Sequence, residues 1–249
     1  MKSINILLFG LTVMFGMNSC SDEILNEIDT NPNLLNDAPL NSLLPQAIIS
    51  YSHEIVGGSG AVYSGFMSEL TTHVLGNNPY DNFDVFNTQP WENAYLLLND
   101  LDYLKEKAVD MEAWTYAGIA DIIKAFTLIN LVDLFGDVPY TEAFDADIRA
   151  PEFDDHENLY PVIHNIIDEA IANLQKEKGN VFPTNDDLVF AGDKSLWLKT
   201  AYGLKARLYN KFSNLDPSGS AQDALDALEN SFQDQSENFM LNIFNESFQ

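Results

Sequence analysis

The sequence predicts an all-α protein. Apolar residues recur at three- and four-residue steps over long stretches, and no stretch alternates apolar and polar residues as a β-strand does. Hydrophobic residues make up 46% of the chain, which is enough for a large core despite the many acidic residues. We expect six helices, at 39–56, 62–75, 91–108, 111–135, 158–178 and 194–214, and a seventh near 220–233.

The helix predicted at 158–178 has a regular apolar face. Asn158 can cap its start, and Pro161 lies in the first turn, where a missing amide hydrogen costs nothing. Lys176 and Lys178 suit the negative end of the helix dipole, and Gly179 can end the helix. The face is formed by Leu159, Val162, Ile163, Ile166, Ile167, Ala170, Ile171 and Leu174.

The helix predicted at 111–135 has little polar surface, so we expect it to be central and covered on several sides. It should end at Gly136, because Pro139 and its neighbours cannot continue it. The helix at 194–214 carries one apolar stripe, and small residues beside the stripe would let a neighbouring helix approach closely. The stripe is Trp197, Ala201, Leu204, Leu208 and Phe212.

The order of these helices predicts antiparallel pairs. The first pair is 91–108 with 111–135, and the second is 158–178 with 194–214. Helix pairs that stack side by side form a solenoid of the tetratricopeptide type.

The N-terminus predicts export and a lipid anchor. A positive start is followed by a short apolar run from Ile4 to Met17, which is typical of a secretory signal because a membrane span needs roughly 20 apolar residues. Cys20 is the only cysteine, so no internal disulfide can form. Its context resembles a bacterial lipobox, which predicts a signal peptide over 1–19 and an acylated N-terminus at Cys20. The polar residues 20–37 would then tether a helical domain over 38–249.

The net negative charge of the chain excludes nucleic acid as a partner. The chain has 12 Lys and Arg against 38 Asp and Glu, a net charge of −26. Such a surface repels nucleic acid and anionic lipid headgroups, so a membrane link would have to be covalent.

No enzyme, metal or cofactor signature is found in the sequence. The histidines lack zinc-protease spacing, and no nucleophile elbow or phosphate-binding loop occurs. His156 lies among Asp154, Asp155 and Glu157, where a metal would need ligands from elsewhere in the chain. We therefore predict no catalytic residue, no metal and no cofactor.

The stretch GNNPYDNFDVFNTQPWENAY, residues 76–95, is predicted to be a loop that could bind a sugar. Flat rings suit the apolar C–H faces of sugars, and carboxamides both donate and accept hydrogen bonds. The alternative is a loop pinned to the helices by its own aromatic side chains, with asparagines in turns. The candidate ligand-binding residues are Tyr80, Asn82, Phe83, Gln89, Trp91 and Asn93.

Four stretches together resemble the SusD/RagB-type outer-membrane lipoproteins of Bacteroidetes. They are NPN at 31–33, LINLVDLFGDVPYTEAF at 128–144, YPVIHNIIDEAIANL at 160–174 and LVFAGDKSLWLKTAYGLKARL at 188–208. Cys20 followed by Ser21-Asp22-Glu23 is also similar to the export signal of such lipoproteins. The resemblance covers nearly the whole chain.

The resemblance implies a tetratricopeptide-like helix-pair solenoid of SusD type on the outer face of the outer membrane. Members bind nutrients, usually glycans, and work with a SusC-like TonB-dependent transporter; they are not enzymes. Members usually carry a second half, so we expect this chain to be truncated. Two other functions stay open: a helical-repeat scaffold that binds a peptide, and a lipoprotein enzyme acting on polysaccharides.

Overall fold

The computed structural model describes residues 38–52, 83–177 and 179–241, and for 83–89 the backbone alone. The described part is all-helical and contains no β-strand, as predicted. Its helices are α1 (Leu40–Ser50), α2 (Phe83–Asp110), α3 (Trp114–Phe135), α4 (His156–Gln175), α5 (Lys194–Asn210) and α6 (Pro217–Leu228). The predicted helix 62–75, the signal peptide and the tether lie outside the described residues.

Helix α3 is the centre of the fold. It packs against α1, α2, α4 and α5, and buries fifteen of its residues. This confirms the prediction that the helix with the least polar surface is covered on several sides. It ends at Phe135, and Gly136 follows with a φ of 76°, a conformation that glycine adopts without steric cost.

Ion pairs show that α2 and α3 are antiparallel. Lys124 of α3 pairs with Asp102 of α2. Further along α2, Lys105 pairs with Asp121, which precedes Lys124 on α3. The order of contacts is reversed between the two helices, so the predicted first pair is confirmed.

Helices α4 and α5 pair in the same way. The rings of His164 and Tyr209 lie 4.7 Å apart, and one turn later on α4 the Asp168 carboxylate binds Lys205 Nζ at 2.5 Å. Since Lys205 precedes Tyr209, these helices are also antiparallel. Helix α4 packs on α3 as well, so the two pairs stack side by side.

Several predicted helix ends are wrong by a few residues. Helix α4 begins at His156 because Asp155, and not Asn158, caps it by accepting a hydrogen bond from Glu157 N at 2.8 Å. It ends at Gln175, before Gly179. A Cβ on Gly179 would lie 2.3 Å from the carbonyl oxygen of Glu112, so this glycine permits a close backbone approach.

The turn between α2 and α3 explains another wrong boundary. Residues 111–113 were predicted as helix, but α2 extends to Asp110 and Glu112 adopts a φ of 52°. Helix α5 ends at Asn210 and not at 214. Helix α6 begins earlier than predicted because Asp216 accepts a hydrogen bond from Gly219 N at 3.0 Å and caps it.

One carboxyl group is buried where α2, α3 and α4 meet. The Asp121 side chain is fully buried, and its Oδ1 lies 2.8 Å from Lys105 Nζ. The same ammonium group lies 2.6 Å from Glu169 Oε2 on α4. Burial outweighs the attraction of Lys105 and raises the pKa of Asp121 from 3.8 to about 6.

This pKa predicts a specific pH dependence of stability. The folded state binds the Asp121 proton more tightly than the unfolded state, so the contribution is fully present below pH 3.8 and is lost as pH rises through about 6. Relative to Asp121→Asn, the wild-type free energy of unfolding should fall by roughly 2–3 kcal/mol between pH 4 and pH 7. Urea titrations of both proteins at pH 4, 5.5 and 7 measure this difference. A difference that is flat, or that grows with pH, would contradict the assignment.

No helix among the described residues has both the length and the hydrophobicity to cross a membrane.

Candidate functional site

Six aromatic side chains form a connected patch at one end of the α2–α3 pair. Helix α2 contributes residues one turn apart, α3 contributes its last residue, and the segment 136–155 that joins α3 to α4 contributes the rest. We call this set the aromatic patch; it consists of Trp91, Tyr95, Phe135, Tyr140, Phe144 and Phe153.

Trp91 is the hub of the aromatic patch. Its ring centroid lies 5.0 Å from that of Phe135, in an edge-on arrangement, and 5.1 Å from that of Tyr95. Phe153 lies 6.2 Å away with its ring tilted by 33°. These distances fall in the range of favourable ring pairs, so the rings hold one another in place.

The outer rings of the aromatic patch face solvent. Phe153 is 65% exposed and Phe144 is 38% exposed, whereas the other four rings are half-buried. Phe144 is held between Tyr95 and Tyr140, at ring separations of 6.2 and 6.4 Å. The patch therefore offers exposed ring surface on a base of packed rings.

Polar contacts fix the two tyrosines. The hydroxyl of Tyr95 donates to the Pro139 carbonyl oxygen at 2.6 Å. Burial and the nearby Asp154 charge raise the pKa of Tyr95, so its hydroxyl stays protonated and can keep donating. Lys124 Nζ lies 5.5 Å from the centroid of the Tyr140 ring, a cation–π contact that anchors Tyr140 to α3.

The segment 136–155 is closed into a loop by its two ends. Val138 and Asp154 exchange backbone hydrogen bonds of 3.2 and 3.0 Å. The Asp154 carboxylate also accepts hydrogen bonds from Tyr140 N at 2.7 Å, Thr141 N at 2.9 Å and Thr141 Oγ1 at 2.8 Å. Residue 154 thus touches the start of the segment with both its backbone and its side chain.

Beside the loop, Asp137, Asp155 and His156 bring one ligand-type atom each within 4.8 Å of one another. Asp137 Oδ1 accepts hydrogen bonds from His156 N at 3.0 Å and His156 Nδ1 at 2.7 Å. The hydrogen bond that His156 makes to the Asp137 carboxylate raises the pKa of His156, and the hydrogen bonds that Asp137 accepts lower its own pKa. Both carboxylates accept hydrogen bonds from backbone amides in the first turn of α4. Helix capping therefore explains why the three residues lie together.

The structure corrects the predicted loop at 76–95. From Phe83 onward these residues belong to α2, which runs through Pro90. Asparagine and proline are local turn signals, and tertiary packing can override them: Pro90 is buried against the rest of the fold. The predicted helix start at 91 is therefore also wrong.

The predicted site residues have different outcomes. The lipid-attachment residue Cys20 and the candidate ligand residues Tyr80 and Asn82 lie outside the described residues. Phe83 and Gln89 lie in α2, where the backbone alone is described. Trp91 and Asn93 are half-buried on α2, and Trp91 is the hub of the aromatic patch.

The sequence prediction missed the other five rings of the aromatic patch. A signal was present, because Phe135, Tyr140, Phe144 and Phe153 all fall within one short stretch that ends in an acidic turn. In the sequence, that stretch indicates the end of the central helix and carries part of the family resemblance, but it does not indicate a ligand site. Nothing in the sequence indicated that it lies against Trp91.

Comparison with known proteins gives a family and a fold. A family model described as SusD-like, "starch-binding associating with outer membrane", matches residues 32–248. A SusD/RagB family protein from Bacteroides thetaiotaomicron superimposes with a TM-score of 0.74 at 24% identity, over 85% of this chain and 46% of its own. No curated protein matches the chain in sequence.

Two solved structures are similar to this chain and have a binding activity in their names. A chitin-binding protein is 27% identical with a TM-score of 0.53, over 62% of this chain and 34% of its own. A chitin-binding SusD homolog from Flavobacterium johnsoniae is 21% identical with a TM-score of 0.52, over 64% and 32%. The chain spans less than half the length of each of these structures.

Proposed function

We propose, from the premise that this chain belongs to the SusD-like family, that it is a binding protein that captures a glycan at the outer membrane. The observation that carries this proposal is the family match over residues 32–248. The chitin-binding activity named for two similar structures supports a polysaccharide as the ligand class. The aromatic patch is the part of the described structure that suits such a ligand.

Ring stacking is the physical basis of the proposed binding. The C–H face of a pyranose is flat and apolar, and Phe153 and Phe144 present ring surface to solvent. Ring pairs behind them limit their motion, which lowers the entropy lost when a ligand is bound.

The proposed setting is the cell surface. We infer that Cys20 carries the lipid that holds the chain to the outer membrane, and that a SusC-like TonB-dependent transporter receives the bound glycan. Among the described residues five lysines are paired with carboxylates, and the surplus charge is acidic. That surplus supports covalent attachment and not electrostatic adsorption to anionic lipid.

The direct test is calorimetric titration of the full lipidated chain in detergent with maltooligosaccharides and chitooligosaccharides. We expect the wild type to bind at least one of them. Phe153→Ala should weaken that binding about tenfold, which corresponds to about 1.4 kcal/mol. Leu225→Ala is the matched control, because Leu225 is a 59% exposed apolar residue on α6, and it should bind like the wild type.

Other outcomes would identify the other functions. Shorter oligosaccharides appearing in the titrated sample would indicate a polysaccharide-active enzyme. A chain that binds no glycan but retains a peptide from a peptide library would indicate a peptide-binding scaffold. Equal glycan affinity of the wild type and Phe153→Ala would show that Phe153 does not contribute to glycan binding.

A further inference from the structure

The two exposed rings of the aromatic patch depend on one loop. Phe144 and Phe153 both lie in the segment 136–155, whereas Trp91 and Tyr95 lie on α2. A helix fixes the backbone that carries its side chains. The position of a ring on a loop depends instead on the contacts that close the loop. The contacts that close this loop therefore decide where the exposed rings point.

Asp137 accepts two hydrogen bonds from His156 at the ends of the loop, but the largest group of side-chain contacts that close the loop meets at Asp154. Its carboxylate accepts two backbone amides and one hydroxyl from Tyr140 and Thr141, between 2.7 and 2.9 Å. Phe153 is its immediate neighbour, and Tyr140 packs on Phe144. A second, weaker tie inside the loop runs from Glu152 N to Glu142 Oε2 at 3.0 Å.

We propose that Asp154 is the positioning residue of the ligand face, setting the orientation of Phe144 and Phe153 towards the bound glycan without touching it. This inference rests on the proposed function for its ligand, although the ring geometry can be tested without one. The ionised carboxylate accepts these three hydrogen bonds more strongly than a protonated carboxyl group would, because hydrogen bonds to a charged acceptor are the stronger ones.

The ionisation of Asp154 fits this role. Partial burial on its own would raise the pKa of Asp154, but the hydrogen bonds from Thr141 and Tyr140 outweigh it and hold the pKa below its usual value of 3.8. The charged form is therefore the one that closes the loop at neutral pH. The stabilisation is present above pH 3.8 and is lost as pH falls through the lowered pKa.

The test compares Asp154→Ala with Asp216→Ala in the full chain. Both carboxylates accept backbone amide hydrogen bonds, but Asp216 caps α6 and belongs to no part of the aromatic patch. Two readouts are needed: ring-to-ring nuclear Overhauser effects between Phe153 and Trp91 and between Phe144 and Tyr95, and titration with the oligosaccharides named above. Thr141→Val is an intermediate variant, because it removes one of the three hydrogen bonds.

We expect Asp154→Ala to lose both ring contacts and to weaken glycan binding at least about tenfold. Asp216→Ala should lower the melting temperature while leaving the ring contacts and the affinity unchanged. Asp154→Ala with wild-type ring contacts, or with wild-type affinity, would overturn the proposal. A wild type that binds no glycan, beside an Asp154→Ala variant that loses its ring contacts, would refute the proposed function and leave the positioning role standing.

Discussion

Replacing Trp197 with alanine is expected to lower the free energy of unfolding by about 3–5 kcal/mol. Trp197 is fully buried on α5, and its ring packs edge-on against Phe190 and Phe239. Its Nε1 donates to Asp187 Oδ2 at 2.7 Å, inside a loop whose amides bind the same carboxylate. Removing the indole thus leaves a cavity and takes one hydrogen-bond donor from the buried Asp187 side chain. Urea denaturation monitored by far-ultraviolet circular dichroism measures the loss.

Two further variants separate the cavity from the hydrogen bond. Trp197→Phe keeps most of the ring but removes the donor, and should cost about 1–3 kcal/mol. Tyr103→Ala is the surface control, since Tyr103 is exposed on α2, and should change stability by no more than about 0.5 kcal/mol. A Trp197→Ala protein as stable as the Tyr103→Ala control would show that the packing of Trp197 does not stabilise the fold.

Replacing Cys20 with serine is expected to abolish display of the chain at the cell surface. The hydroxyl of serine cannot take the place of the thiol in the acylation that we propose, and the acidic chain has no other strong attraction to an anionic membrane. Antibody labelling of intact cells and the mass of the N-terminal peptide measure display and acylation separately. Asn26→Ala, which keeps the cysteine and the three residues after it, should be acylated and displayed like the wild type.

Two results would contradict the prediction for Cys20→Ser. Surface labelling of Cys20→Ser equal to that of the wild type would show that attachment does not depend on this thiol. An unmodified wild-type N-terminal peptide would lead to the same conclusion.

Helix identity could be predicted from the sequence because each helix buries one face, and burial imposes the three- and four-residue spacing directly. Helix α4 illustrates this: its predicted apolar residues Leu159, Ile163 and Ile167 are all buried. Its first residue was harder to predict, since Asp155 and Asn158 are both good capping residues and backbone geometry decides between them.

The start of α2 could not be predicted for a related reason. Pro90 and the asparagines near it favour a turn locally, whereas packing of the whole helix against α1 and α3 favours a continuous helix. The two effects act over different distances along the chain. Sequence pattern detects the local effect and not the tertiary one.

The aromatic patch was only partly predictable because its two groups of rings, one on α2 and one within 135–153, are distant in sequence. Trp91 could be proposed from the chemistry of its neighbours. Its contact with Phe153 joins a residue of α2 to one in the segment after α3, and it follows only from the antiparallel packing of the two helices. The same holds for Asp121, whose partner Lys105 is on a different helix. The role of a charged residue in an apolar helix can be inferred only when the neighbouring helix that carries its partner is known.

The central claim is that a glycan binds against the aromatic patch of this chain. Oxidative footprinting of side chains, with and without a saturating oligosaccharide, tests it most directly because it reports where the ligand lies. We expect Trp91, Phe144 and Phe153 to be protected, while exposed residues on α6 such as Leu225 are oxidised equally in both samples. Protection confined to residues outside the patch, with these three rings unchanged, would contradict it.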